Sequence, residues 1–124
     1  MNGSAGRLSF ELRDRTKRFG SSAIRLFISL PKNREEVSVC GKQLLRSATS
    51  VAAHAREASR ARSDAEFSSK LGGALQECDE SQLWLEFLRD DCGISCQTID
   101  PICKEADELI AIFTTMIKRT KARE

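Results

Sequence analysis

The sequence has no tyrosine, one histidine, one tryptophan, and only two prolines and seven glycines in 124 residues. So few chain-breaking residues, with few runs of β-branched side chains, argue against a turn-rich β architecture and for helix almost throughout. No apolar run approaches the roughly 18 to 20 residues needed to span a bilayer. The opening Met1 to Gly6 is small and polar, without the apolar stretch of a secretory signal, and cytoplasmic residence is expected. Five cysteines, an odd number without the spacing of a secreted disulfide framework, agree with that expectation.

The poverty in histidine also narrows the chemistry. His54 alone offers neither a Ser-His-Asp arrangement nor the Glu-x-x-His pairs that hold two metals inside helix bundles. Cys92 and Cys96 stand one helical turn apart with Cys103 seven residues on, but there is no paired CxxC, and His54 is distant in sequence. Free thiols in or near the core are expected there. Gly72-Gly73 lacks the Lys-Ser/Thr that completes a phosphate loop. The carboxylates Glu77, Asp79, Glu80 and Glu86 read as an acidic surface. No catalytic activity, metal or cofactor is expected.

What the chain does have is helical periodicity. Phe19, Ala23, Leu26, Phe27 and Leu30 recur at steps of three and four, predicting a helix over about 10–29 that Leu30-Pro31 terminates. Val37, Cys40, Leu44, Ala48, Val51, Ala55 and Ala58 predict a second over 35–61, whose small residues permit close axial approach. Ser63-Asp64-Ala65-Glu66 has the form of a capping box and opens a third over 64–92, with Gly93 as its stop. Within it Gly72 and Gly73 each cost about 1 kcal/mol relative to alanine, which a close helix crossing would explain. The fourth is predicted over 100–121, with Pro101 at its first position and a basic, fraying end. Short connections between four helices imply one domain over 1–124, an all-α, antiparallel, up-down-up-down four-helix bundle.

Charge is unevenly distributed. Residues 1–62 carry 13 Lys and Arg against 5 Asp and Glu, a net of +8; residues 63–124 carry 7 against 13, a net of −6. Surfaces of opposite sign suit polyanion binding or self-association. Arg46, Arg56, Arg60 and Arg62, on the second helix and its exit turn, and Lys70 in the third, form the candidate anion-binding set, since guanidinium forks match phosphate. An ordinary solvated face, paired to Glu57 and Glu66, is the competing reading. Aromatics do not interleave with these residues, so base stacking is not expected.

The run Gly41-Lys42-Gln43-Leu44-Leu45-Arg46-Ser47-Ala48-Thr49-Ser50-Val51-Ala52-Ala53-His54-Ala55-Arg56-Glu57-Ala58 resembles the signature of the bacterial four helix bundle protein family, also encoded in intervening sequences of 23S ribosomal RNA genes. Ser59 to Leu71 continues the likeness, as do Glu77, Glu80, Trp84 and Leu85. It is densest over residues 37–90, with a departure at His54, where many members have asparagine. The resemblance implies a bundle assembling as a homo-oligomer, typically a homopentamer, with Gln43, His54, Glu57, Glu66, Glu77 and Glu80 as candidates for the subunit contact. The family is similar to the accessory variability determinant of diversity-generating retroelements, a basic pentamer that associates with reverse transcriptase and nucleic acid. That similarity implies a non-enzymatic ring-forming adaptor for RNA, DNA or a nucleic-acid enzyme. A self-assembling structural protein with no nucleic-acid role is the alternative.

Overall fold

A computed structural model of the chain describes residues 7–123 and, for the backbone, Ser4–Ala5. The remaining residues of Met1 to Gly6, on which the expected lack of a signal segment rests, lie outside it. Four helices follow in order: α1 Phe10–Ser29, α2 Glu35–Ser59, α3 Asp64–Asp90 and α4 Cys96–Arg123. A short antiparallel pair precedes them, β1 Ser4–Ala5 with β2 Leu8–Ser9. This clip has no counterpart in the sequence reading. It presses Leu8 into the core at 1% exposure and is held by the Arg7 N–H, which donates to the Ser59 carbonyl at 2.9 Å.

Contacts between helices fix which are neighbours, and the pairing of Arg46 with Glu80 but of Glu57 with Lys70 shows α2 and α3 running antiparallel. Ser47 and Ser81 share a buried hydroxyl bond of 2.9 Å and Arg46 reaches Glu80, pairing α2 with α3; Cys78 Sγ donates to the Ala106 carbonyl, pairing α3 with α4. Arg15 bonds both Glu105 and Glu108, closing α1 against α4. The bundle is thus the up-down-up-down architecture expected of four amphipathic helices with short connections. Its core is one continuous cluster containing Phe19, Leu44, Leu71, Leu85, Leu109 and Phe113. No helix among the described residues is long and apolar enough to cross a membrane.

Helix ends follow local chemistry, with several departures from expectation. At the start of α3, Ser63 Oγ accepts from the Glu66 N–H at 3.0 Å as a capping box requires. The Glu66 carboxylate, however, accepts from the Arg62 N–H rather than from that of Ser63. That backbone bond, foremost, holds the Glu66 carboxyl below the usual range. The largest departure is α4, which begins at Cys96 rather than near Asp100. Ser95 serves as its cap: Oγ accepts from the Gln97 N–H and its carbonyl from the Ile99 N–H. Pro101 therefore sits one turn inside the helix, where its missing N–H forfeits a single bond close to the N-terminus. α2 ends at Ser59 and α3 at Asp90, each two residues early. Gly93, at φ 72°, makes the left-handed turn that lets the Ile94 N–H bond back to Leu88. The C-terminal segment, expected to fray, is helical through Arg123.

The two adjacent glycines of α3 separate physically. A Cβ at Gly73 would lie 3.1 to 3.3 Å from the His54 imidazole, so this glycine makes room for that ring. A Cβ at Gly72 would meet nothing within 4 Å. The close crossing expected to explain both glycines explains one. Gly72→Ala is expected to stabilise the fold by about 0.5–1 kcal/mol through helix propensity alone. Gly73→Ala should gain less or lose outright, and urea titration of the two variants side by side checks the contrast.

Candidate anion-binding face

The outer face where α2 runs beside α3 carries all five predicted cations, but in two different states. Arg46 is committed within the chain: Nη2 lies 2.7 Å from Glu80 and Nη1 3.4 Å from Glu77. Lys70 lies 3.2 Å from Glu57, and Arg62, almost fully exposed in the connecting turn, lies 3.6 Å from Glu66. Arg56 and Arg60 are exposed, and neither forms a salt bridge among the described residues. Both line a cleft of about 680 Å³, floored by Ala52 and Ala53 and rimmed by Glu57, Glu66 and Lys70. The floor is low because α2 carries alanine at both positions, and a longer side chain at either would fill the space.

The residues considered for a subunit contact lie on this same face. Glu57, Glu66, Glu77 and Glu80 each meet a cation of their own chain, and Gln43 Oε1 accepts from Arg46 at 3.5 Å. The basic second helix and the acidic third thus pair within the chain. His54 packs over Gly73, its Nδ1 3.9 Å from Glu57 and buried without a hydrogen-bond partner. Below Gln43, the α2–α3 register brings Val39 level with Phe87; with Leu83 these are exposed apolar side chains, and Trp84 stands 5.8 Å from Phe87.

The thiols are free, as expected: Cys78 and Cys92 are buried, Cys40 and Cys103 half-buried, and only Cys96 is exposed. Cys92 is buried just beyond α3 and Cys96 is exposed as the first residue of α4, with the Gly93 turn between them, so they do not stack along one helix. Burial, above all, pushes the Cys78 thiol up to about 12. Among the described residues no group of three His, Cys, Asp or Glu side chains is placed to hold a metal ion.

Sequence reasoning missed a second cluster beside the first. Phe10, Arg13, Asp14 and Lys17 of α1 line a smaller cleft, about 180 Å³, together with Arg56 of α2. Arg56 therefore borders both clefts, and the Phe10 ring lines the second of them. The signal was the 10, 13, 14, 17 spacing on α1, a polar-face counterpart of the apolar stripe used to find the helix.

The α2–α3 face of this four-helix bundle thus combines an alanine-floored cleft with two arginines, Arg56 and Arg60, that form no salt bridge among the described residues. The chain belongs to the family described as 23S rRNA-intervening sequence protein, which it matches over residues 9–115. Its fold is similar to the crystal structure of a protein of unknown function from the S23 ribosomal protein family of Bacteroides thetaiotaomicron. The two are 34% identical, with a TM-score of 0.78, covering 86% of this chain and 97% of that one. Among curated proteins no relative matches the sequence.

Proposed function

We propose that this protein is a non-enzymatic, ring-forming adaptor that holds RNA, or an enzyme acting on nucleic acid such as a reverse transcriptase, on the face bearing Arg56 and Arg60. The observation that carries the reading is the difference among the predicted cations: Arg46, Lys70 and Arg62 already meet carboxylates, whereas Arg56 and Arg60 flank an open cleft and form no salt bridge among the described residues. An unpaired arginine loses no existing partner when it takes a phosphate, and its fork donates two bonds at once. On one chain the set is small, so useful affinity requires repetition around a homo-oligomer, a pentamer by family likeness.

Light scattering in low and high salt, with and without RNA, tests this. The expected result is a salt-stable pentamer whose mass rises with RNA and falls back as salt is added. A pentamer indifferent to RNA would support the second reading, a self-assembling protein with no nucleic-acid role. The exposed Val39, Leu83 and Phe87 favour that reading, since they offer an apolar surface for a neighbouring subunit. A monomer would overturn both.

A further inference from the structure

Of the six phenylalanines, Phe10 is the most exposed. Phe19, Phe67 and Phe113 are buried in the core. Phe27 carries the Lys32 ammonium 5.1 Å from its ring centre, and Phe87 leans on Trp84. Phe10 is 58% exposed, the first residue of α1, positioned by Ser9, whose Oγ accepts from the Leu12 N–H. Its cleft is cationic: Arg13, Lys17 and Arg56 surround it without a salt bridge among the described residues. The one carboxylate there, Asp14, is bonded to Arg18 at 2.9 Å.

An apolar protein partner would cover the ring only by stripping water from three unpaired cations, an unfavourable exchange. A nucleotide brings what the cleft lacks, a flat π-face together with negative charge. We propose that Phe10 is a stacking platform for an unpaired base, with Arg13, Lys17 and Arg56 holding the flanking phosphates, so that the ligand is single-stranded nucleic acid. The strand crosses from the α1–α2 cleft into the α2–α3 cleft over Arg56, which borders both. A base held in a duplex offers no free face to Phe10, and that sets the preference for single strands. This inference rests on the nucleic-acid reading above and adds to it the strandedness of the ligand and the contribution of α1.

The test is fluorescence anisotropy with a labelled oligouridine and with a labelled RNA duplex of equal length, on the full chain. Phe10→Ala should weaken single-strand binding about tenfold, within the range for removing one aromatic stacking partner, and leave duplex binding unchanged. Phe10→Trp should restore single-strand binding, and the new indole should be quenched on adding oligouridine. Equal affinity of wild type and Phe10→Ala for the single strand, or an equal loss on both RNAs, would overturn the stacking role. Loss of binding on Arg56→Gln without loss on Phe10→Ala would leave the nucleic-acid reading standing and remove only this addition. If the wild-type protein binds neither RNA, both fall together.

Discussion

Replacing Phe113 with alanine is expected to remove about 3–5 kcal/mol of folding stability, a large share of the roughly 5–15 kcal/mol that holds a domain of this kind together. Phe113 is fully buried on α4, in the same core cluster as Phe19, Leu85 and Leu109. α4 approaches α1 less closely than it approaches α3, and the α1–α4 seam is bridged by Arg15 with Glu105 and Glu108. The Arg15–Glu105 pair is half-buried and two-pronged, but surface ion pairs contribute at most on the order of 1 kcal/mol each, so the apolar filling must hold most of that side of the bundle. Truncating the ring removes its transfer free energy and leaves a void that rigid helices close only in part. Urea titration at fixed protein concentration should show a lower midpoint with an unchanged slope. Phe87→Ala, on the exposed face, is the control and should shift stability by about 0.5 kcal/mol or less in the isolated chain. A Phe113→Ala midpoint no lower than that of the control would mean that α4 does not pack as described.

Much of this core could be read from the sequence because helical periodicity is a local signal. Phe19, Ala23 and Leu26 on α1, and Leu44, Ala48, Val51 and Ala55 on α2, were named from spacing and are all buried. The capping serine of α3 and the glycine stop after it are local signals too. The start of α4 was misplaced because proline is favoured at a first helical turn, and that preference outweighed Ser95, the actual cap. Cross-chain register was not legible. Nothing local tells Arg46 that Glu80 will be its partner 34 residues on, or Arg15 that Glu105 and Glu108 lie 90 and more residues away. The opposition between a basic front half and an acidic back half reflects this folding: both seams joining the two halves, α2–α3 and α1–α4, are bridged by arginine from the first and glutamate from the second. Charges that looked available to partners are thus partly consumed internally. The ones that remain could be identified only after these pairs were known.

Neutralising Arg56 and Arg60 together should therefore weaken RNA binding by roughly 100-fold, while neutralising Arg46 should leave it nearly unchanged. The first figure assumes two charge-assisted contacts at about 1.5 kcal/mol each, with tenfold in affinity for each 1.4 kcal/mol. Salt dependence gives an independent reading: losing two phosphate contacts should flatten the log-affinity against log-salt slope by about 1.4 on a single strand. Arg46→Gln acts through a different route. It strands Glu77 and Glu80 beside each other on α3, so its effect should appear in the urea midpoint rather than in RNA affinity. Pairing it with Glu80→Gln should recover part of that loss, as expected of residues that interact directly. The sequence alone ranked Arg46, Arg56 and Arg60 as equivalent, and the two assays separate them. If Arg46→Gln instead reduced RNA binding as much as the Arg56/Arg60 double variant, with stability unchanged, then pairing within the chain would not be what divides these residues. The binding face would have to be drawn along the whole length of α2.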